Sequence, residues 1–416
     1  MSSNQVYVFI SLGGEDILVG RLWGHSRKGR ERASFEYDPS WLSHPEKFAL
    51  EPALTLTSGQ FHTEDNQALF GAIGDSAPDR WGRVLMRRAH AQSANKNNET
   101  PRTLMEIDYL LGVSDVARSG ALRFSEDLSG PFLYEKASIP PLVELPKLLS
   151  ITERYLADEE SEQDLKLLLA PGSSLGGARP KASVIDKEEN LAIAKFPRRD
   201  DEYNIVVWEW VAHELAEKAG ITMATSRLEF ILNKPVMIIN RFDRTHQNRI
   251  PFLSAMSMLG AKDNDFHSYI EMAYALAQHG AYPNKDMAEL WRRIVFSILI
   301  SNTDDHLRNH GFLYERQLGW TLSPAYDLNP VPTDIKPRIL TTAIDFEDNT
   351  ASLDIALSVI GEFRVSLSHA KEIIREVASA TKQWRKVAKK QGLNPAEIER
   401  MQSAFEHDDL KKAQKL

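Results

Sequence analysis

The sequence predicts an α+β protein, with a β-rich N-terminal subdomain, a mixed central region and a mainly helical C-terminal lobe. Short apolar runs separated by glycine turns dominate the first 60 residues, whereas helical apolar spacing dominates from about residue 266 onward. With 416 residues the chain is too long for one ordinary core. We therefore expect two or three packed subdomains.

The chain is predicted to open with antiparallel strands. Residues 6–12 and 17–22 are apolar runs joined by Gly13 and Gly14, a pair that suits a tight hairpin turn. Residues 33–37 and 54–57 predict two further strands. Together these runs predict β structure throughout the start of the N-terminal subdomain.

Helix-start signals follow these strands. Asp75, Ser76 and Pro78 precede an apolar series that continues through Trp81 and Leu85, which predicts a helix beginning at these residues. Further along, several prolines between residues 129 and 146 interrupt any periodic pattern. We therefore place a subdomain boundary in that stretch.

Mixed elements are predicted beyond this boundary. Strands and turns near 182–197 and 227–240 flank a helix from about 203 to 219. From residue 266 the chain is predicted to be mainly helical, interrupted by a turn-rich segment over 301–338. This order of elements again indicates an α+β fold.

Composition and charge exclude several classes of protein. The chain has no cysteine, which excludes disulfides, thiolate metal sites and cysteine nucleophiles. No apolar run approaches the roughly 18 residues of a membrane span, and the first residues lack the pattern of a secretory signal, so we expect a cytoplasmic protein. A formal charge of −8 argues against a nucleic-acid footprint over the whole surface. We expect any DNA contact to be local or to involve a partner.

The segment Ser301 to Phe312, SNTDDHLRNHGF, is the most informative part of the sequence. A kinase catalytic loop has an Asp that accepts the proton of the substrate hydroxyl, then four residues, then an Asn that binds Mg²⁺. Asp304 and Asn309 have this spacing. Asp305 is one residue too close to Asn309, so we assign it to loop structure or support. The alternative is a polar loop that caps a helix over 288–300.

A later carboxylate strengthens this interpretation. The strand-like run from Trp320 to Leu328 delivers Asp327 downstream of the loop. Kinases place a metal-binding Asp after the catalytic Asn, because the charge of the β- and γ-phosphates must be neutralised from both sides. Asp327 is therefore a candidate metal ligand in combination with Asp304 and Asn309, whereas alone it is more typical of a turn.

Residues 171–181, PGSSLGGARPK, form a glycine-rich segment whose backbone N–H groups can bind phosphate. Gly172 and Gly177 have Walker A spacing. Ala178 and Arg179 replace the Lys and Ser/Thr of that motif, which disfavours a P-loop NTPase. Taken by itself, the segment is more typical of a flexible surface loop.

Lys195 lies in an apolar strand, LAIAKFP, which predicts an inward ammonium like the kinase lysine that binds the α- and β-phosphates. A buried lysine without an anion is costly, which favours a functional role. Glu209 on the next helix is a candidate partner, with a solvated glutamate as the alternative. The apolar run over 235–244 is a candidate adenine-binding strand and hinge, with a plain core strand as the alternative.

Other polar clusters give weaker indications. His213, His306 and His310 have no metal-binding spacing, so we expect structural or supporting roles. Five basic residues recur at three- and four-residue spacing and predict a basic stripe on one helix face, with a solvated helix as the simpler interpretation. They are Lys382, Arg385, Lys386, Lys389 and Lys390.

The chain resembles the HipA family of toxin serine/threonine-protein kinases in five ordered motifs. These are GDSAPDRWG at 74–82, SLGGARPK at 174–181, RFDR at 241–244, NTDDHLRN at 302–309 and PAYDL at 324–328. The opening β segment also resembles the N-terminal subdomain of the family. The implied domains are an N-terminal α+β subdomain (1–135), a kinase-like nucleotide-binding region (136–245) and a helical C-terminal catalytic lobe (246–416).

The resemblance implies an ATP- and Mg²⁺-dependent kinase and carries roles over by position. Asp304 is the implied catalytic base, Asn309 and Asp327 are the implied metal ligands, and Ser174, with Ser173 adjacent, is the implied autophosphorylation site. Asn240 stands where the family usually has a glutamate. The implied nucleotide-binding residues are Gly176, Gly177, Ala178, Arg179, Pro180, Lys181, Lys195, Asn240, Arg241, Phe242, His306, Leu307, Arg308, Asn309, Tyr326 and Asp327.

The resemblance also implies partners. Members of the family pair with a small HipB-like helix-turn-helix antitoxin that binds operator DNA, and their targets include aminoacyl-tRNA synthetases. Two alternatives remain: a kinase-fold phosphotransferase that acts on a small molecule, and a catalytically silent co-repressor that acts with a DNA-binding antitoxin. The intact Asp304, Asn309, Asp327 and Lys195 argue against the silent module but do not separate a protein acceptor from a metabolite.

Overall fold

The computed structural model describes residues 4–27, 29–65, 67–134, 139–169, 177, 179–245, 248–263 and 265–416. The chain divides into two compact units. Unit 1 comprises Met1–Arg199 and Glu229–Leu253, and unit 2 comprises Asp200–Leu228 and Ser254–Leu416. The three predicted domains follow the motifs rather than compactness, and they stay a prediction.

Unit 1 combines a five-stranded, a four-stranded and a two-stranded sheet with helices, and the chain crosses between the units within its strands β8 and β12. Its strands are β1 (Asn4–Leu12), β2 (Glu15–Arg27), β3 (Arg30–Tyr37), β4 (Gln60–His62), β5 (Leu122–Ser125), β6 (Lys181–Ile185), β7 (Leu191–Lys195), β8 (Ser226–Ile231), β9 (Lys234–Asn240), β10 (Arg244–Thr245), β11 (Asn248–Arg249) and β12 (Phe252–Ser254). Its helices are α1 (Pro39–Ser43), α2 (Gly71–Gly74), α3 (Arg80–Lys96), α4 (Glu106–Leu111), α5 (Leu145–Leu156) and α6 (Glu162–Leu169).

The first sheet contains the predicted N-terminal hairpin. Its strand order is β4-β3-β2-β1-β5, and β1 pairs antiparallel with β2 up to Leu12 opposite Glu15. Gly13 and Gly14 form the turn with φ of 61° and 89°, a left-handed conformation that glycine adopts without strain. The hairpin and the strand predicted at 33–37 are confirmed.

The strand predicted over residues 54–57 is wrong. This segment consists of bends and turns, and the fourth strand begins only at Gln60. Leu54 is buried, and its carbonyl accepts a hydrogen bond of 2.8 Å from Tyr37 Oη, whereas the next residues are exposed. A side chain therefore satisfies the backbone here, and no neighbouring strand is needed.

The helix predicted to begin at Asp75 and Ser76 begins later. These two residues follow the short helix α2, and the long helix α3 starts at Arg80. Asp79 is its N-cap, because its Oδ1 accepts a hydrogen bond of 2.8 Å from the backbone N–H of Gly82. The predicted start signals, Asp75, Ser76 and Pro78, did not include the residue that caps the helix.

The second sheet has the strand order β6-β7-β9-β8, which confirms strands in both predicted regions. One face packs against Leu148 and Leu149 of α5 and includes Val184, Ala194 and Ile238. Side chains alternate between the two faces of a strand. Residues on the opposite face include Lys181 and Lys195, which are direct partners across β6 and β7, and Met237 of β9.

Unit 2 is mainly helical, as predicted for the C-terminal lobe. Its helices are α7 (Ile205–Lys218), α8 (Ala255–Met258), α9 (Tyr269–His279), α10 (Pro283–Ile300), α11 (Leu353–Ser358), α12 (Leu367–Thr381), α13 (Trp384–Lys390), α14 (Pro395–Arg400), α15 (Gln402–Phe405) and α16 (Asp408–Ala413). The strands β13 (Gly311–Glu315) and β14 (Gly319–Leu322) form an antiparallel hairpin inside the segment predicted to be turn-rich.

The core of unit 2 is built around α10, and residues 293–300 at its C-terminal end are all buried. Helix α7 is held by aromatic packing, with Trp208 lying 6.1 Å from Trp384 and 6.2 Å from Phe405 between ring centroids. Trp384 and Phe405 are stacked at 4.7 Å. Aromatic residues bury large apolar areas, so these contacts fix the C-terminal helices to α7.

The predicted basic stripe is not on one helix face. Lys382 follows the end of α12, whereas the other four residues lie on α13. Arg385 pairs with Glu399 and Glu406, and Lys390 pairs with Glu214. Acidic neighbours thus offset part of the positive charge, which favours the simpler interpretation of a solvated helix.

Among the residues that the structure describes, no helix is both long enough and apolar enough to cross a membrane.

His213 is a buried titratable group in α7. Its Nε2 lies 3.2 Å from the carbonyl oxygen of Ala224, and its Nδ1 has no hydrogen-bond partner among the described residues. Burial lowers the pKa of His213 to about 4. The folded chain therefore holds this imidazole in its neutral form at neutral pH.

We predict that His213 makes folding stability pH-dependent in mild acid. The unfolded imidazole has a pKa of about 6.5, so between that value and 4 the unfolded state binds a proton that the folded state does not. The contribution of neutral His213 to the free energy of unfolding is about 1–3 kcal/mol. It is fully present above about pH 6.5 and is lost as pH falls towards 4. Urea unfolding of His213→Gln, which keeps a donor for Ala224 but does not titrate, should show a flatter pH dependence.

The control for this comparison is His369→Gln, since His369 is exposed in the same unit. The control should unfold with the pH dependence of the wild type. If His213→Gln does so too, the assignment to His213 is wrong.

Candidate active site

The predicted catalytic loop is positioned by the end of α10. Ser301 is the C-cap of this helix and has a left-handed φ of 53°. Its hydroxyl donates a hydrogen bond of 2.8 Å to the carbonyl oxygen of Ala404, and Ser301, Asn302 and Thr303 are fully buried. The loop therefore starts from a fixed, buried point before it emerges at Asp304.

Asp304 and Asn309 contact each other in the loop, but they differ in solvent exposure. The side chain of Asp304 is 69% exposed, whereas Asn309 is buried. Asn309 Nδ2 donates a hydrogen bond of 3.2 Å to the backbone carbonyl of Asp304, and Asn309 Oδ1 has no hydrogen-bond partner among the described residues. The loop thus presents a carboxylate to solvent and keeps one buried amide oxygen unsatisfied beside it.

Asp305 is a structural residue of the loop, in agreement with its predicted role. Its Oδ2 accepts hydrogen bonds from Tyr269 Oη at 2.6 Å and from Ser297 Oγ at 3.2 Å, and its Oδ1 lies 3.0 Å from His310 Nε2. Burial raises the pKa of this carboxyl, but the neighbouring His310 and these donors outweigh burial and lower the pKa below its usual value. Asp305 is therefore held as a buried anion.

Asp327 lies in an irregular segment and not at a strand end. Strand β14 stops at Leu322, so the predicted strand through residue 328 is too long. Asp327 has a left-handed φ of 59°, and its Oδ1 accepts a hydrogen bond of 3.2 Å from Asn329 Nδ2. The local backbone is therefore specialised, since non-glycine residues seldom adopt this conformation.

Hydrogen bonds brace the Asp327 segment against the catalytic loop within unit 2. Asn302 Oδ1 accepts a bond of 3.1 Å from the backbone N–H of Asn329, and Tyr326 Oη donates one of 2.8 Å to the carbonyl of Arg308. The N–H of Val331 donates to the carbonyl of Ser301 at 3.1 Å. The structure thus brings together the segments that carry Asp304, Asn309 and Asp327.

The predicted residues between Asp304 and Asn309 have different environments. His306 is half-buried with an unpaired Nδ1, as judged over the described residues, and Leu307 is buried. Arg308 is 45% exposed and pairs with Asp263. These contacts neither assign nor exclude the nucleotide-binding roles of the three residues, which stay predictions.

Lys336 is a residue of this site that the sequence did not indicate. Its Nζ lies 3.7 Å from Asp304 Oδ1 and donates a hydrogen bond of 3.0 Å to the carbonyl of Thr303. Thr341 also donates to this carbonyl, through both its N–H and its hydroxyl. Lys336 lies far along the chain in an irregular stretch without a motif, so no local sequence signal marks it.

The oxygen atoms of this site fit a magnesium ion. Among the described residues no group of three or more His, Asp and Glu side chains could hold a metal. Mg²⁺ needs fewer protein ligands, because it keeps several waters and binds through one or two side chains together with substrate phosphates. The unpaired Asn309 Oδ1 and the carboxylate of Asp327 are of the required oxygen type.

In unit 1, part of the predicted glycine-rich loop lies outside the described residues: Gly176, Ala178, and both candidate serines, Ser173 and Ser174. Gly177 has a φ of 93°, and Pro180 precedes strand β6. Arg179 is half-buried. The nucleotide-binding roles of this loop stay predictions.

The two predicted lysines of unit 1 lie opposite each other on β6 and β7. Lys181 Nζ lies 2.6 Å from Asp79 Oδ2, and both side chains are almost completely buried. Lys195 is half-buried on the same face of the sheet. Glu209 is only 4% exposed, so the alternative of a solvated glutamate is wrong, while its pairing with Lys195 stays a prediction.

The predicted hinge residue Arg241 is engaged in the fold of unit 1. Its N–H donates to the carbonyl of Leu191 at 2.9 Å, and its guanidinium contacts Asp243 and the carbonyl of Ala117. Burial raises the pKa of Asp243, but the adjacent arginines outweigh burial and lower it below its usual range. Adenine binding by Asn240, Arg241 and Phe242 stays a prediction, and the Arg241 guanidinium belongs to a buried ion pair.

Known proteins resemble this chain in sequence and fold. A protein of Haemophilus influenzae named "Putative kinase" is 25% identical over 201 residues, which are 41% of this chain and 57% of that relative. "Putative kinase Y4mE" of Sinorhizobium fredii is 24% identical over 345 residues, covering 74% of this chain and 75% of its own. The chain thus matches little more than half the length of the first relative.

A solved structure shares the fold. It is the HipA protein of a Shewanella oneidensis MR-1 toxin–antitoxin system, determined in complex with HipB and its operator DNA. It superposes with a TM-score of 0.67 over 98% of this chain and 99% of its own, at 15% sequence identity. The arrangement of elements is therefore that of HipA.

Two family models match the sequence. The model of the HipA N-terminal domain matches residues 14–107, and that of the HipA-like C-terminal domain matches residues 173–384. The second match includes Lys181, Lys195 and all three catalytic candidates of unit 2, and it covers just over half of the chain. The chain therefore belongs to the HipA family.

Proposed function

We propose that this protein is a serine/threonine-protein kinase that transfers the γ-phosphoryl group of Mg-ATP to a protein hydroxyl. One observation carries the proposal: the exposed carboxylate of Asp304 is held beside a buried oxygen of Asn309 that has no hydrogen-bond partner among the described residues. A purely structural polar loop would satisfy that oxygen, because a buried acceptor without a partner costs about 1–3 kcal/mol. A metal ion supplies the missing partner.

The residues of unit 2 have distinct roles in this proposal. Asp304 orients the acceptor hydroxyl and takes its proton, which its exposure permits. Asn309 and Asp327 would hold Mg²⁺, which would neutralise charge on the phosphates. Lys336 places a positive charge close to Asp304.

We also propose that the protein acts as the toxin of a type II toxin–antitoxin system. The fold match to a HipA that was solved with HipB and operator DNA supports a HipB-like helix-turn-helix antitoxin as the partner. Contact with operator DNA is then made mainly through the antitoxin. The match extends over 98% of this chain.

Labelled ATP separates the proposed function from its alternatives. The purified protein is incubated with γ-labelled Mg-ATP and a bacterial lysate, and label is measured in the protein and small-molecule fractions. A protein kinase labels a discrete protein on serine or threonine. Label confined to metabolites indicates a small-molecule phosphotransferase, and no transfer at all indicates a silent module. An aminoacyl-tRNA synthetase is the first labelled protein to look for.

Asp304→Asn should abolish transfer but keep nucleotide binding. The proposed base contacts the acceptor and no phosphate, so we expect turnover to fall about 100-fold or more while the Kd for Mg-ATP stays near that of the wild type. Asp334→Asn is the control, because Asp334 is a similarly exposed carboxylate of the same unit. Turnover near the wild-type rate in Asp304→Asn refutes the assignment.

Asp327→Asn should weaken nucleotide binding only when Mg²⁺ is present. Asparagine tolerates the left-handed conformation of this position, so the substitution removes charge with little strain. We expect the Kd for Mg-ATP to rise about tenfold, and we expect no difference from the wild type in EDTA. An equal loss in both conditions would show that Asp327 supports the fold rather than the metal.

Autophosphorylation of the glycine-rich segment is a further proposal, drawn from the resemblance at Ser174. A phosphate adds about −1.5 to −2 charges, which would repel the phosphates of ATP and inactivate the protein. Peptide mass spectrometry after incubation with Mg-ATP should find phosphate in the wild type, much less in Ser174→Ala and none in Asp304→Asn, and a loss in Ser173→Ala instead would assign the site to the adjacent serine. Phosphate that persists on Asp304→Asn purified free of other kinases contradicts this proposal.

A further inference from the structure

Asp79 binds two groups with its two carboxylate oxygens. Oδ1 accepts the N–H of Gly82 at 2.8 Å and so caps α3, whereas Oδ2 lies 2.6 Å from the ammonium of Lys181. The Asp79 side chain is 3% exposed and that of Lys181 is 2% exposed. The N-terminus of α3 is therefore joined to the first residue of β6 by a buried ion pair.

A second contact joins the same two elements. Trp81 Nε1 donates a hydrogen bond of 2.9 Å to the backbone carbonyl of Lys181, and the indole packs edge-on against Tyr155 at 5.0 Å between centroids. Asp79 holds the side chain of Lys181 while Trp81 holds its backbone. Two residues of the motif at 74–82 therefore contact Lys181, and the sequence alone did not indicate this contact.

The contact between Asp79 and Lys181 bears on nucleotide binding because Lys181 lies opposite Lys195. Lys181 and Lys195 are direct partners across β6 and β7, and β-carbons of such partners are about 4.5–5.5 Å apart. Two ammonium groups on one face repel each other, and the carboxylate of Asp79 offsets this repulsion. The Lys181 ammonium also donates to the carbonyl of Gly177 at 3.4 Å, at the end of the glycine-rich segment.

Stabilisation of the fold does not by itself explain why a buried ion pair lies at this position. Replacing a buried ion pair by apolar residues of similar volume is often neutral or stabilising, whereas removal of one partner leaves an uncompensated buried charge. The pair does, however, fix the direction of an ammonium with three donors, which an apolar contact cannot do. A fixed direction matters where a lysine must meet a phosphate.

We propose that Asp79 is a positioning residue of the nucleotide site, which orients Lys181 so that this lysine and Lys195 present their charge to the phosphates of ATP. The inference rests on the proposed kinase function and assigns a role to the N-terminal motif within it. Asp79 itself touches no nucleotide. Its removal therefore acts on ATP affinity and not on the chemical step.

The test uses five variants of the full chain, one of which is Lys195→Met. Asp79→Asn keeps the helix cap, since asparagine caps as well as aspartate, and it removes the charge. Lys181→Met and the double variant Asp79→Leu/Lys181→Met remove one and both partners. Asp38→Asn is the matched control, because Asp38 caps α1 in the same unit through Ser40 and is only half-buried. Measured quantities are Tm, the Kd for Mg-ATP by calorimetry, and KM and kcat.

We expect Asp79→Asn to raise the Kd and the KM for Mg-ATP about tenfold, with kcat at saturating ATP within about threefold of the wild type. Asp38→Asn should match the wild type. The double variant should have a higher Tm than Lys181→Met, which leaves Asp79 buried without its partner, and should still bind Mg-ATP at least about tenfold more weakly than the wild type. If Asp79→Asn does not fold, the double variant therefore tests whether the ion pair serves Mg-ATP binding.

Two results overturn the inference while the proposed function stands. They are a wild-type Kd in Asp79→Asn, and a wild-type Kd in the double variant, which would show that the pair serves only the fold. Lys195→Met shows which statement has failed: if it loses Mg-ATP binding and Asp79→Asn does not, only the role of Asp79 is wrong. A wild-type protein that binds no Mg-ATP overturns the kinase function and this inference together.

Discussion

The buried carboxylate of Asp305 sets the geometry on which the candidate active site depends. A charged group can be buried only if its partners replace water, and Tyr269, Ser297 and His310 do so here. These partners come from α9, α10 and the residue before β13, so they fix Asp305 from three directions. The preceding residue, Asp304, must then point away from the core, and it is the exposed one.

The same constraint recurs in unit 1 with other residues. Asp243 is completely buried and is compensated by Arg241, Arg244 and the N–H of Gly120. These arginines also donate to carbonyls of residues 116–120, so one ion cluster holds a loop that lies more than one hundred positions earlier in the chain. The RFDR motif thus connects the end of β9 to the N-terminal sheet through buried charge.

Local patterns account for what could be predicted. The hairpin around Gly13 and Gly14 and helix α7 each depend on residues close in sequence, and both occur as expected. The exact start of α3 was not predicted, because Asp75 and Ser76, which come earlier in the chain, are also residue types that cap helices. Only the folded chain shows that Asp79 caps the helix and also pairs with a lysine 102 positions away.

Long-range contacts account for what was missed. Lys336 contacts Asp304 from an irregular stretch, and Asp79 pairs with Lys181, which lies 102 positions later in the chain. Neither pair lies within one element, so neither has a periodicity or spacing that sequence analysis can detect. The strand predicted over 54–57 failed for a related reason, since the side chain of Tyr37 satisfies Leu54 in place of a neighbouring strand.

Residues of these motifs that look alike in the sequence differ in their burial and in their hydrogen-bond partners. The carboxylates of Asp79, Asp243 and Asp305 are buried against cations and donors, so their charges are used within the fold. Asp304 is exposed, and Asn309 keeps an unpaired buried oxygen among the described residues. Adjacent aspartates in one motif therefore differ in kind: Asp305 provides the rigid support, and Asp304 is the group that can still meet a substrate.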